Sequence, residues 1–173
     1  MPYSIEYFRC TPPRCVRSVA SEPYERLRAH IESELESLSF SWFGIQCVCQ
    51  CDVGSLMGAA SGLPDDPHWG SPLAFRCSDC GVEHAIFDAS LDGYDAEIGA
   101  ATDLANSGES AALACRVCAC QLHQVAIAFG YQMSDVRADE FQGRDEDFFD
   151  ACLVYVRCTG CGTISQPCVF ECA

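Results

Sequence analysis

The spacing of the cysteines constrains this chain more than any other feature of its sequence. The 173 residues include 15 cysteines, and most of them fall in short runs. Two copies of C-x-x-C-G lie at 77–81 and 158–162, a third C-x-x-C lies at 115–118, and a C-x-C-x-C run lies at 47–51. Disulfide scaffolds belong mostly to short secreted chains. This chain is longer, its cysteine count is odd, and its first residues lack the pattern of an export signal, so we expect metal ligation and a cytoplasmic location.

A C-x-x-C turn directs two thiolates towards one point. The glycine after the second cysteine, Gly81 or Gly162, allows the positive φ that such a turn often requires. Two such corners from separate segments supply the four sulfurs of a tetrahedral zinc site, with Zn–S distances of about 2.3 Å. The pattern therefore predicts tetrathiolate metal binding, with Zn²⁺ as the expected ion.

The cysteine runs recur in the same order along the chain, which predicts an internal duplication. The segment V-C-Q-C at 48–51 matches V-C-A-C at 117–120, and an arginine precedes each C-x-x-C-G turn. Each copy supplies one upstream cysteine cluster and one downstream turn. We therefore expect one metal site in each copy and two zinc ions in the chain.

The upstream half of each predicted site is ambiguous because three cysteines compete for two places. The C-x-C spacing shared by both copies favours the last two cysteines, since residues i and i+2 of a strand project from one face. The C-x-x-C spacing at 115–118 favours the first two instead, and the remaining cysteine would be a buried thiol beside the site. The preferred ligands are Cys49, Cys51, Cys77, Cys80, Cys118, Cys120, Cys158 and Cys161, with Cys47 and Cys115 as alternates.

The paired turns resemble those of zinc-ribbon and rubredoxin-like proteins, which clamp one metal between two cysteine turns on β-hairpins. With the helix pattern described next, the resemblance implies a β-rich α+β fold of two tandem zinc-ribbon-like β units packed with an N-terminal amphipathic helix. The expected division is an arm and helix over 1–40, a first four-cysteine unit over 41–98, a linker over 99–112 and a second four-cysteine unit over 113–173.

Hydrophobic periodicity predicts the remaining elements. Leu27, Ile31, Leu35 and Leu38 recur at helical spacing and predict an amphipathic helix over 22–38, with Ser21 as its cap. Alternating aromatic and β-branched residues indicate strands. These strands are expected over 40–53, on either side of Cys77 and Cys80 with 85–88 as the return strand, over 121–131 and 152–157, and in the C-terminal tail, with a turn-rich loop over 61–72.

The chain is strongly acidic, with a formal net charge of −15 and no lysine. This charge excludes a pervasively basic nucleic-acid surface, and no apolar run approaches the roughly 18 residues of a membrane-spanning helix. Two tetrathiolate zinc sites would bring the charge to about −19, because each adds −2. Residues 135–150 hold seven acidic residues against two arginines, and we expect the acidic surface to bind a basic protein.

The sequence contains no motif that indicates catalysis. A catalytic zinc keeps one coordination position open, whereas four thiolates close the shell. The histidines lack metal-site spacing, and although His84 and His123 follow cysteine clusters and are alternative ligands, the cysteines suffice. Four further cysteines allow a third site or a disulfide, but unligated thiols are the preferred interpretation: Cys10, Cys15, Cys168 and Cys172.

Three functions fit these features. The first is a non-catalytic structural-zinc protein that binds a basic protein partner, for example as the neutraliser of a basic enzyme in the manner of an immunity protein. The second is a redox or metal sensor, in which the spare cysteine of each cluster forms a disulfide and releases zinc. The third is an electron-transfer protein in which iron replaces zinc between the same four thiolates.

Overall fold

The computed structural model describes residues 5–34, 40–60, 69–92, 109–131 and 149–172. Strands dominate these residues, and the helices are short. The helices are α1 (Ile5–Cys10), α2 (Glu25–Glu34) and α3 (Ala89–Asp92). The strands are β1 (Ala20–Ser21), β2 (Phe40–Ile45), β3 (Val53–Ala60), β4 (Trp69–Cys77), β5 (Glu83–Phe87), β6 (Ser110–Ala112), β7 (His123–Gly130), β8 (Ala151–Cys158) and β9 (Ile164–Glu171).

Two long, interrupted strands form the centre of one antiparallel sheet. β2 and β3 lie along one line, β6 and β7 along the other, and a cysteine loop interrupts each line. Between the two lines, β2 pairs with β7 and β3 pairs with β6. The first residues of β3 and β7 also pair with each other, Val53 with Gln124 and Gly54 with His123. β4 and β5 extend the sheet beyond β3, whereas β8 and β9 extend it beyond β7.

The sheet curls so that its two halves enclose the main core. The rings of Phe87 in β5 and Phe170 in β9 lie 4.7 Å apart between centroids. Along β7, Ile127 and Phe129 face this core, whereas Ala126 and Ala128 face the opposite side, as expected for a strand buried on both faces. Each large apolar side chain buried in this way contributes roughly 1.5–3 kcal/mol.

Helix α2 covers part of the outer face of the sheet, where Leu27 and Ile31 pack in a small buried cluster with Tyr155. The helix begins at Glu25 rather than at residue 22, and the expected cap, Ser21, lies in β1 instead. Residues 35–38 of the predicted helix lie outside the described part of the chain.

The predicted α+β fold of tandem units packed with a helix is wrong. The described chain is mainly one curled antiparallel sheet, and the helices are short additions to it. The physical reason is the pairing of β3 with both β6 and β7, which continues a single sheet across the expected units. The residue boundaries of those units stay a prediction.

Most of the predicted strands are confirmed. The patterns at 121–131, 152–157 and the tail correspond to β7, β8 and β9, and the return strand at 85–88 corresponds to β5. The pattern at 40–53 contains β2 and only the first residue of β3, Val53, because the cysteines after Ile45 leave the sheet as a loop. The patterns missed the two-residue β1, all but the first residue of β3, which is rich in residues with low strand preference, and β6, which falls in the predicted linker.

Several predictions concern residues that the structure does not describe. These are residues 61–68 of the predicted loop, most of the linker at 99–112, and residues 135–148 of the acidic segment. Residues 69–72 of the predicted loop are described and form the start of β4, so that part of the loop prediction is wrong. Among the described helices, none has the length and apolar character needed to span a membrane.

Candidate metal centres

Four cysteine sulfurs meet beside the start of β3. This first centre comprises Cys47, Cys49, Cys77 and Cys80, whose sulfur atoms all lie within 4.8 Å of one another. Cys47 Sγ lies 3.5 Å from Cys80 Sγ, and Cys49 Sγ lies 3.5 Å from Cys77 Sγ. These separations exceed the S–S bond of about 2.05 Å in a disulfide. They are close to the roughly 3.8 Å between sulfurs of a tetrahedral site with Zn–S near 2.3 Å.

Tight backbone turns position these sulfurs. In the loop after β2, the Gln50 N–H donates to the Cys47 carbonyl at 2.8 Å, and Gln50 has a φ of 74°. In the β4–β5 turn, the Gly81 N–H donates to the Cys77 carbonyl at 3.1 Å, and Gly81 has a φ of 72°. The positive φ predicted for Gly81 is confirmed, and glycine adopts it without the penalty that a Cβ would bring.

The second centre repeats this geometry beside the start of β7. It comprises Cys115, Cys118, Cys158 and Cys161, whose sulfur atoms also lie within 4.8 Å of one another. The Sγ atoms of Cys115 and Cys161 are 3.6 Å apart, and those of Cys118 and Cys158 are 3.4 Å apart. Gly162 has a φ of 76° and its N–H donates to the Cys158 carbonyl at 2.9 Å, so this turn matches the one at Gly81. The upstream turn also ends in a residue with positive φ, Ala119 at 60°, but it is one residue longer: the Ala119 N–H donates to the Cys115 carbonyl four residues back.

Both centres contain the first two cysteines of the upstream cluster rather than the preferred last two. The four-sulfur groups include the alternates Cys47 and Cys115, and they do not include Cys51 or Cys120. The residue after the second cysteine turns the chain with a positive φ, which removes the strand-like alternation on which the preferred set depended. The C-x-x-C spacing at 115–118 was the sequence signal for the observed grouping.

The third cysteine of each cluster lies beside its centre in a similar environment. Cys51 Sγ lies 3.6 Å from Ser78 Oγ, and Cys120 Sγ lies 3.7 Å from Thr159 Oγ1. Ser78 and Thr159 immediately follow Cys77 and Cys158 in the chain. Both third cysteines are half-buried rather than buried.

One thiol of each centre ionises more readily than its neighbours. In the first centre, the backbone N–H groups of Cys80 and Asp79 lower the pKa of Cys77 to about 6, because they stabilise the thiolate. In the second centre, hydrogen bonds from the Thr163 hydroxyl and N–H lower the pKa of Cys161 to about 6. Cys77 and Cys161 are therefore mainly thiolates at neutral pH.

Other thiols in the same centres shift in the opposite direction. The Cys51 N–H acts to lower the pKa of Cys49, but desolvation and the neighbouring thiols outweigh it and raise that pKa to about 12. Desolvation raises the pKa of Cys158 to about 12. Four crowded sulfurs thus become thiolates together only when a cation compensates their charge.

His84 lies against the first centre without belonging to its four-sulfur group. Its Nε2 atom lies 3.2 Å from Cys47 Sγ. A metal-bound thiolate only accepts hydrogen bonds, so with metal present this nitrogen carries the proton and donates it. Such a contact orients a metal ligand and adjusts its basicity.

His123 lies at the start of β7, directly opposite Cys158 in the sheet register. Only 1% of its surface is exposed, and its Nδ1 atom has no hydrogen-bond partner. Burial lowers the pKa of His123. The metal-binding groups found among the described residues do not include this histidine.

A polar chain connects the two cysteine segments across the β3–β7 junction. Arg157 Nη1 donates to Gln124 Oε1 at 3.0 Å, and Gln124 Nε2 donates to Asp52 Oδ2 at 2.8 Å. The matching arginine of the first centre, Arg76, instead forms a 2.8 Å ion pair with Glu83 across the β4–β5 hairpin.

The remaining cysteines do not form a further centre. None of the 15 cysteines, all of which lie in the described ranges, forms a disulfide, and a search of these residues finds only the two four-sulfur groups. Cys152, Cys168 and Cys172 are buried in the core, where desolvation raises the pKa of each. That Cys10, Cys15, Cys168 and Cys172 stay unligated remains a prediction.

No protein-family model matches this sequence, and no curated protein or solved structure matches it either. The function is therefore inferred from the geometry of the two centres. Soft thiolate ligands select zinc or iron rather than hard cations, and four of them leave no open coordination position.

Proposed function

We propose that this chain is a non-catalytic protein whose fold is stabilised by two tetrathiolate zinc ions and that it binds a basic protein partner. The single observation that supports the metal role is the convergence of eight cysteine sulfurs into two groups of four. Structural zinc contributes roughly 10 kcal/mol or more to the folding of small zinc domains.

The position of the centres explains why the metals would matter for folding. Each centre joins the loop that interrupts a central strand to the hairpin turn beside it. Val48 and Val117, at corresponding positions of the two loops, leave 69% and 68% of their surface exposed. Since neither valine is buried in a core, we expect metal coordination to hold these loops in place.

The closed coordination shell supports a structural rather than a catalytic role. Four thiolates around Zn²⁺ give a formal charge of −2, which makes the ion a poor Lewis acid. A catalytic zinc instead keeps a water position and usually has histidine or carboxylate ligands. His84 contacts a sulfur of the first centre but stands outside its ligand group.

Metal analysis of the purified full chain tests the structural role. We expect two zinc ions per chain in native mass spectra, and loss of strand circular dichroism when a strong chelator removes them. A chain that is metal-free and fully folded would contradict the proposal. Visible absorption bands would indicate that the sites hold iron rather than zinc, because Zn²⁺ is d¹⁰ and colourless.

The net charge of −15 supports binding to a basic protein. Two tetrathiolate zinc centres would make it about −19, and such a charge attracts cationic partners and repels nucleic acid. Neutralisation of a basic enzyme in the cytoplasm is the form of this function that we propose. Capture of a basic protein at low salt and its release at high salt would support it. Capture that is insensitive to salt would contradict it.

A thiol redox sensor is the second candidate, favoured by the third cysteine beside each centre. Peroxide would take two electrons and be reduced to water, while Cys51 or Cys120 forms a disulfide with a ligand sulfur and zinc is released. Zinc release by peroxide that is reversed by a thiol would support this role. Equal release from the C51S/C120S variant would exclude it.

A further inference from the structure

A pocket lies beside the second centre. It encloses about 350 Å³, which is within the size range of small-molecule sites. Its walls include Trp69 at the start of β4 and Pro167 in β9, together with Leu113. Cys115 and Cys158 of the second centre also line it, so the pocket extends from the cysteines into the space between β4 and β9.

His123 brings to this pocket a buried ring nitrogen without a partner. The residue lines the pocket, only 1% of its surface is exposed, and its Nδ1 atom makes no hydrogen bond. A buried nitrogen without a partner is costly, and native proteins rarely leave one unless another molecule satisfies it. A polar atom of a bound molecule would satisfy Nδ1.

Arg116 gives the pocket a cationic group. It lines the pocket and is exposed to solvent. Within the described part of the chain it has no acidic partner, whereas Arg28 and Arg76 each form ion pairs. A guanidinium binds carboxylates in a bidentate manner, so Arg116 offers a carboxylate in this pocket a charged partner.

Comparison with the first centre explains why there is a pocket beside the second. Four residues after its last cysteine, His84 places its ring against Cys47. The residue at the same distance after Cys161 is Ser165, which lines the pocket. A serine is much smaller than a histidine, so the position that an imidazole occupies beside the first centre is left open beside the second.

From these three features we propose that the pocket binds a small aromatic carboxylate. The aromatic body would pack between Trp69 and Pro167, and the carboxylate would pair with Arg116. A ligand polar atom would reach Nδ1 of His123. This site goes beyond the structural metal role, because it assigns a ligand to the surroundings of one centre only.

Calorimetric titration of the zinc-loaded full chain with 2-naphthoate tests the proposal. We expect saturable binding at one site per chain, and at least tenfold weaker binding of the neutral analogue 2-naphthamide. R116Q should weaken naphthoate binding about tenfold or more, the factor expected for one charged hydrogen-bonded contact. R26Q, which removes an exposed arginine outside the pocket, is the matched control and should leave the affinity unchanged.

The variant S165H copies the first centre and should abolish binding, whereas S165A should retain it. The absence of saturable binding up to about 1 mM naphthoate, or unchanged affinity in S165H, would overturn the proposal. A crystal structure with only water on His123 Nδ1 in the presence of naphthoate would do the same.

Zinc content measured in the same samples separates this inference from the metal role. Two zinc ions without naphthoate binding would refute the pocket alone. Naphthoate binding by a zinc-free chain would refute the metal role alone.

Discussion

The two centres share the backbone of their C-x-x-C-G turns and differ in the length of the upstream turn and in their surroundings. Gly81 and Gly162 have φ values of 72° and 76°, and both groups bring four sulfurs within 4.8 Å. The third cysteine of each cluster has a corresponding hydroxyl neighbour, but other side chains differ: His84 contacts a sulfur of the first centre, and a pocket adjoins the second. The turns are thus set by local backbone chemistry, while the neighbouring positions are free to acquire separate roles.

The largest effect is expected for two single variants, each of which removes one cysteine ligand from one of the centres. C77S and C158S should each lose one zinc ion and several kcal/mol of stability, because three sulfurs leave the ion incompletely ligated. Only C158S should also lose naphthoate binding, since Cys158 lines the pocket and Cys77 does not. Metal content, denaturant unfolding and calorimetry measure the three quantities, and identical ligand binding in both variants would contradict the assignment of the pocket to one centre.

The pH dependence of zinc affinity should be similar in both centres. Cys77 and Cys161, with pKa values lowered to about 6, are thiolates at pH 7 and gain a proton as the pH falls through 6. The pKa values of Cys49 and Cys158 are raised to about 12, and those of two further ligands, Cys47 and Cys118, are raised too.

Zinc must therefore displace at least two protons from each centre at pH 7. We expect the affinity to fall at least roughly 100-fold for each unit of acidification near neutrality. Competition with a zinc indicator at pH 6.5 and 7.5 measures this slope. A slope near zero would show that the sulfurs are not the ligands.

A smaller effect is expected for the histidine that distinguishes the first centre. H84S removes the donor to Cys47 and should lower the zinc affinity of the first centre roughly tenfold, as changes next to metal ligands do. H84Q retains a donor and should recover part of the loss. Affinities of the two centres are resolved by stepwise competition with a chelator. A change confined to the second centre would contradict the role of His84.

The smallest effect is expected for the ion pair that only the first hairpin contains. The side chains of Arg76 and Glu83 are 51% and 47% exposed, so solvent screens their 2.8 Å contact. R76Q should cost less than about 1 kcal/mol of unfolding free energy. R157Q should cost more, because it breaks the hydrogen bond to Gln124 in the polar chain. If urea denaturation shows equal losses of unfolding free energy for R76Q and R157Q, the proposed difference between the hairpins is contradicted.

The cysteine spacing predicted the metal-binding residues better than it predicted the fold. The C-x-x-C-G turns place Cys77, Cys80, Cys158 and Cys161 as expected, because this geometry is local. Which two cysteines of each upstream cluster join the centre depends on the backbone turn at Gln50 in the first centre and at Ala119 in the second. The residue types at these positions do not indicate such a turn.

The fold was less predictable because its decisive contacts are long-range. The pairing of Gly54 with His123 joins strands about 70 positions apart, and no local periodicity encodes it. The pocket was also missed, since it depends on the absence of a large side chain at Ser165. Only the comparison of the two centres in three dimensions gives that position a meaning.

X-ray absorption at the zinc edge of the purified full chain tests the central claim most directly. We expect two zinc ions per chain, each with four sulfur neighbours at about 2.3 Å and no nitrogen or oxygen in the first shell. A shell of three sulfurs and one nitrogen would place a histidine in a centre. A folded chain without zinc, or with its sulfurs paired as disulfides, would contradict the two tetrathiolate centres altogether.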